Sequence, residues 1–216
     1  MTIRIILFCM LFFCINTTNT LAQKDSRARQ VLDYTATIFK NQRAVEMSFQ
    51  IQLFSNGKLQ GENQGVITLK GNKFLLKTPS VITWFNGITQ WSYLTDSEEV
   101  NISNPTQAEL QNINPYAFLQ LYKQGYHYKL GNRQTYKNKT IQEVCLHAEH
   151  KQQEIQEIIM YTDKKSYQPL YIKITDKNKN SNEISILSLK KDLNLPDNWF
   201  DFDSTKYPNA EIIDLR

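Results

Sequence analysis

The sequence predicts a mainly β protein: one strongly curved antiparallel sheet, or half-barrel, with two helical insertions. Three observations point there. Short apolar–polar alternations recur along the chain, and each marks a strand with one apolar and one polar face. Turn signals such as Asn56-Gly57 and Asn86-Gly87 separate them. Asn-Gly favours two-residue hairpins because both residues tolerate positive φ. Helical periodicity is confined to two stretches and never alternates with strands, which excludes a parallel βαβ sheet. The alternations amount to about ten or eleven strands.

A length of 216 residues fits one domain, two at most. The 41% hydrophobic and 21% charged content is that of a soluble globular chain, so a core can form without special devices. The net charge of +4 comes from scattered lysines, too mild a balance to argue for a nucleic-acid partner.

Residues 1–22 read as a secretory signal peptide. Arg4 supplies the basic start, residues 5–15 the apolar core, and Thr20-Leu21-Ala22 a small residue before the cut, giving Gln23 as the mature start. The apolar run is short of the roughly 20 residues a membrane span needs. Leu11, Phe12 and Phe13 precede Cys14, whereas a lipid-attachment signal wants a small residue there. Removal of the leader takes Cys9 and Cys14 and leaves Cys145 alone, so residues 23–216 form a single domain held by its core without an internal disulfide. Cys145, between Val144 and Leu146, reads as a buried structural thiol.

Residues 25–44 carry Val31, Leu32, Thr35, Ile38 and Phe39 at helical spacing, an amphipathic helix of about five turns whose apolar face lies on a sheet. Residues 45–53 are the clearest strand. Val45, Met47, Phe49, Ile51 and Leu53 point one way, and Glu46, Ser48, Gln50 and Gln52 the other. Residues 65–104 hold several short strands, with Trp84, Trp91 and Tyr93 around the Asn86-Gly87 turn. That aromatic face needs a cover, and the segment after Asn104 is the expected one. Pro105, Thr106 and Glu109 suit a helix start, and a second short helix over 116–123 follows Asn114-Pro115. The pair reads as a hinged lid or as ordinary helices on a sheet. From residue 126 strands resume at 126–130, 141–147, 155–161, 169–175 and 183–189, with a last one at 211–215.

Catalytic signatures are missing from the sequence. No HExxH, GxSxG or P-loop occurs. His147 and His150, three apart, fall on opposite faces of a strand and make a poor metal pair. Asp96, Glu98 and Glu99 read as a solvated turn. What remains is an excess of large apolar side chains: Met47, Phe49, Ile51, Leu53, Phe74, Trp84, Trp91, Tyr93, Tyr116, Phe118 and Tyr122. They either fill a core or line a cavity for lipid chains, and such a cavity has few polar groups to orient its ligand.

Several motifs, in their order and spacing, carry a resemblance: Ser48-Phe49-Gln50, the stretch 65–74, Asn86-Gly87 followed by Trp91 and Tyr93, Asn114-Pro115-Tyr116-Ala117-Phe118, Phe200 and Phe202, and Tyr207-Pro208-Asn209-Ala210-Glu211. With these the chain resembles the LolA family of periplasmic outer-membrane lipoprotein carriers, the Bacteroidetes type in particular. The resemblance implies an incomplete antiparallel β-barrel covered by an N-terminal helix and a short helical lid. It implies a periplasmic, monomeric chaperone that holds the acyl chains of lipoproteins and needs no cofactor, metal or catalysis. Its partners would be an inner-membrane ABC-type release complex and an outer-membrane acceptor or the membrane itself. Phe74 matches a cavity-lining phenylalanine of the family. The family's lid-holding arginine falls at Lys70-Gly71-Asn72, one residue shorter than the usual Lys-Arg-Pro-Asn. There Lys70 substitutes as the lid latch or the latch is absent, and lysine lacks the guanidinium's planar fork. Tyr116, Phe118 and Tyr122 are expected to fill the empty cavity and swing aside on loading. The other reading on this architecture is a lipid- or lipoprotein-sensing regulatory protein.

Overall fold

The computed structural model describes residues 25–40, 43–106, 109–110, 122–123 and 125–216. The predicted leader 1–22 and most of the predicted lid, with Tyr116 and Phe118, lie outside these residues.

The first helix, α1 (Ser26–Lys40), is shorter than the predicted 25–44 because the chain is extended again from Ala44. Asp25 caps it by accepting from the amides of Arg27 at 2.8 Å and Ala28 at 3.4 Å. The same residue ties the helix start to the sheet: its amide donates to the Tyr128 carbonyl at 3.1 Å, and its carboxylate accepts from the Leu130 amide at 3.4 Å. Partial desolvation pushes the Asp25 carboxyl upward, but the amides of Arg27, Leu130 and Ala28 outweigh it and hold the group below its ordinary value. The face carrying Ala28, Val31, Leu32, Thr35, Ala36 and Phe39 is buried.

Among the described residues thirteen strands follow: β1 (Ala44–Ser55), β2 (Lys58–Lys70), β3 (Lys73–Lys77), β4 (Val81–Phe85), β5 (Gln90–Leu94), β6 (Glu99–Ser103), β7 (Tyr126–Leu130), β8 (Thr135–Tyr136), β9 (Lys139–Ala148), β10 (Ile155–Asp163), β11 (Pro169–Asp176), β12 (Ser181–Leu193) and β13 (Glu211–Asp214). They form one curved, open sheet in the order β13-β6-β5-β4-β3-β2-β1-β12-β11-β10-β9-β7, with β8 on β9. All pairings are antiparallel except β13 on β6. Asn56 and Gly57, both at positive φ, make the β1–β2 hairpin that their dipeptide predicts. Irregularities at Ser48/Phe49 against β12 and at Leu53/Phe54 against β2 bend β1, the middle strand of the order.

Two cores lie on opposite faces. The larger sits on the concave face, where the apolar side of α1 joins one cluster with Val45, Met47, Ile67, Leu69, Phe74, Phe85, Tyr128, Val144, Leu146, Ile158, Met160, Ile172 and Ile174, the helix itself lying against β7 and β9. The smaller sits on the convex face of β3–β6, where Leu75 and Trp84 meet the C-terminal segment through Phe200, Phe202 and Tyr207. Two short 3-10 turns, Asp197–Phe200 and Ser204–Lys206, shape that segment before it ends as β13.

Candidate functional site

Strand register decides which side chains share a surface. On β1, Val45, Met47, Phe49 and Ile51 stand beside Leu69, Ile67, Gly65 and Asn63 of β2, and Phe49 and Ile51 also beside Ile186 and Ile184 of β12. Leu69 pairs with Phe74, and Phe74 with Phe85, their rings 5.4 Å apart. Across the other half, Ile172, Met160, Val144 and Leu130 follow one another from β11 to β7. Together these residues, Asn63 apart, make a continuous apolar floor on the concave face. It is sealed under α1 and grows more open along β1. Met47 is buried, Phe49 and Ile51 are half-buried, and Leu53 is 39% exposed.

Phe49 reaches its place because Gly65 lies opposite. A Cβ on Gly65 would stand 2.8 Å from the ring of Phe49 and 2.7 Å from the carbonyl oxygen of Lys77. The glycine serves here for space, since its φ is not in the positive range.

Tyr122 is the one residue of the predicted filling trio among the described residues. It is buried on this face, its ring 6.2 Å from that of Tyr128, and its hydroxyl donates to Asp33 Oδ1 of α1 at 2.5 Å. Burial first, then the Asp33 carboxylate, push its phenol well above the ordinary value. Thr106 and Glu109 form the reciprocal box that starts a helix: the Thr106 amide and hydroxyl donate to Glu109 Oε2 at 2.7 and 2.8 Å, and the Glu109 amide donates back to Thr106 Oγ1 at 3.3 Å. Leu110 then packs on the concave core.

The predicted site residues therefore divide. Met47, Phe49, Ile51, Leu53, Phe74 and Tyr122 share the concave face. Trp84, Trp91 and Tyr93 do not: Leu75 pairs with Trp84 and Trp84 with Trp91, one residue out of phase with Phe74 and Phe85. Their cover is the C-terminal segment, not the one after Asn104. Trp84 meets Phe202 at 5.4 Å and Tyr207 at 5.6 Å, and Tyr93 meets Tyr207 at 4.6 Å. Lys70 faces the same side. Its Nζ donates to the Leu195 carbonyl and to Asp197 Oδ1, both at 2.9 Å, so it fastens the C-terminal segment. Phe85, Ile67 and Leu69 are concave-face residues that the sequence reading passed over, although Phe85 alternates in phase with Thr83.

The floor changes character beyond β4. Phe85 pairs with Gln90, Gln90 with Ser103, Thr83 with Ser92, and Ser92 with Asn101. These polar residues continue the concave face toward its edge. A bay of about 470 Å³ opens there, lined by Gln90, Ser103, Asn104, Pro105, Glu109, Leu215 and Arg216.

The histidines stand outside this surface. His127 and His147 face each other across β7 and β9, and His150 follows the end of β9, so it shares no strand with His147. Among the described residues no group of His, Cys, Asp and Glu is arranged to hold a metal ion. Cys145 is half-buried, with its thiol pushed up to about 11 by burial first and then by Glu143 and Glu157. No helix among the described residues is long and apolar enough to cross a membrane.

The sequence profile of the family described as outer membrane lipoprotein carrier protein LolA matches residues 18–178. The chain belongs to the LolA family. Among solved structures, this LolA-family chain is similar to an uncharacterized conserved protein from Thermus thermophilus, with TM-score 0.59 and 12% identity over 87% of this chain and 99% of that one. It is also similar to a LolA superfamily protein from Nitrosomonas europaea, with TM-score 0.45 and 13% identity over 82% and 98%. No curated protein matches it. The LolA match ends ahead of β12, so the strand that flanks β1, the C-terminal segment and β13 lie beyond it.

Proposed function

We propose that this protein is a periplasmic carrier that takes the acyl chains of lipoproteins onto its concave face and moves them from the inner to the outer membrane. The observation that carries this reading is the apolar floor, which runs from the sealed end under α1 to half-buried Phe49 and Ile51 and exposed Leu53. Family membership supports it. Burying one methylene is worth about 0.8 kcal/mol, so bare acyl chains in water cost roughly tens of kcal/mol. A molecule that crosses an aqueous space with such chains needs a carrier that lends them a surface.

Handover requires that the empty state be nearly as well packed as the loaded one. Tyr122 contributes to that packing, and its hydrogen bond to Asp33 joins it to α1. Residues 1–22 act as an export signal, an inner-membrane ABC-type complex loads the carrier, and an outer-membrane acceptor or the membrane itself receives the cargo. The carrier performs no chemistry on its cargo.

The test uses purified protein added to spheroplasts charged with a labelled lipoprotein. A soluble one-to-one complex is expected, and the same cargo without acyl chains should give none. Equal release of both cargoes, or release of neither by folded protein, overturns the reading.

A further inference from the structure

The concave face is not uniform, and its polar part has a feature that packing does not explain. Gln90 Nε2 donates to Ser92 Oγ at 3.1 Å, while Gln90 Oε1 is buried with no hydrogen-bond partner among the described residues. A buried amide with one half bonded and the other bare is costly, and proteins keep few of them. This one adjoins the apolar floor through Phe85 and lines the 470 Å³ bay. Around it, Ser103 and Asn104 offer further polar atoms, and the Arg216 guanidinium is already paired with Asp214.

We infer that the strip of Gln90, Ser92, Asn101 and Ser103, with the bay beside it, binds the amide-bearing polar head of an acylated peptide. The inference rests on the carrier reading and adds an orientation to it. Chemistry selects this head over others. Gln90 Oε1 needs a hydrogen-bond donor, which an N-acyl or peptide amide supplies and an ionised fatty acid or a fully esterified glyceride lacks. A phosphate head would need free cationic charge, and the arginine in the bay is already neutralised. The bound amphiphile then lies across the curve of the sheet, with its head at β5–β6 and its acyl chains on the floor. β5 is four strand spacings, about 19 Å, from β1. Gln90 is therefore a positioning group for the ligand as well as a contact.

The experiment measures equilibrium binding of two probes, a triacylated cysteinyl tetrapeptide and palmitate, by displacement of a fluorescent fatty acid from the full protein. Gln90→Leu removes the bare acceptor while keeping the volume. One neutral hydrogen bond should be lost, so the lipopeptide should bind about five- to tenfold more weakly, with palmitate unchanged. Ser103→Val serves as the second variant and should show the same selectivity. A photo-crosslinker on the residue after the acylated cysteine should label 103–104 or 215–216. Unchanged lipopeptide affinity in both variants, an equal loss for both probes, or labelling centred on Leu53 overturns the head site. Those outcomes leave the carrier reading standing, because wild-type protein still binds acyl chains. Wild-type protein that binds neither probe overturns both.

Discussion

Replacing Gly65 with alanine adds one methyl where the sheet has no room for it. The new Cβ meets two different obstacles: the Phe49 ring at 2.8 Å and the Lys77 carbonyl oxygen at 2.7 Å. A ring at the end of a side chain can turn away, whereas a backbone oxygen in a strand pairing cannot. Overpacking of this kind costs about 1–3 kcal/mol, and with two contacts the upper part of that range, about 2–3 kcal/mol, is expected. For a chain of this size each kcal/mol moves the melting midpoint by about 2–4 °C, so Gly65→Ala should melt about 4–12 °C below the parent. Phe49→Leu in the same chain removes the ring contact and should recover about 1 kcal/mol, because the carbonyl remains. Thermal melts by circular dichroism on the four members of this cycle give the answer. A Gly65→Ala protein that melts with the parent refutes the packing argument. A double variant as stable as Phe49→Leu alone shows that the Lys77 oxygen is no obstacle.

Phe200→Ala should cost about 3–5 kcal/mol, since the ring is fully buried in the convex core, yet leave acyl-chain binding intact in protein that remains folded. The Asp25 carboxyl, held below its usual value, stabilises the helix attachment at neutral pH. That contribution is lost as pH falls through the depressed folded-state pKa, below about pH 4. Melts of the parent should therefore fall faster with acid than those of Asp25→Asn, and parallel curves would refute the role. Cys145, with its thiol pushed up to about 11, should react slowly with iodoacetamide at neutral pH in folded protein and quickly in urea, as read by mass spectrometry.

Much of the architecture was legible because strand alternation is a strong signal where one face is apolar. The strand at 126–130 coincides with β7, and 45–53 lies within β1. The first half of β2 was missed because Lys58, Gln60, Glu62, Asn63 and Gln64 leave Leu59 as its one large apolar residue, too few for an alternation. β8 is two residues long, below what a period of two can announce. The division of the aromatic residues failed for a different reason. In β3 and β4 both faces are buried, so Phe74 and Leu75, or Trp84 and Phe85, are equally apolar neighbours, and hydrophobicity alone cannot assign a side. Parity across the Asn86-Gly87 hairpin could have separated Phe85 from Trp84, but assigning a cover to each face required knowing that the C-terminal segment returns to the convex side. The polar strip was missed because Gln90, Ser92, Asn101 and Ser103 read as solvent-facing alternation, when they extend the concave face.

The place of β1 has a consequence for how the chain reaches its folded state. Its partner on one side is β2, joined by a tight turn, but on the other it is β12, and Ala44 pairs with Leu193. A chain emerging from its N-terminus can form the β1–β6 meander early, yet β1 keeps a bare edge until about the last sixth of the sequence arrives. Such long-range pairing slows folding, and an unpaired edge beside an apolar surface invites association with other chains. The geometry thus builds in a delay: the sheet is completed only once nearly the whole polypeptide is available, and until then the chain is open to chaperones and proteases that act on unfolded segments.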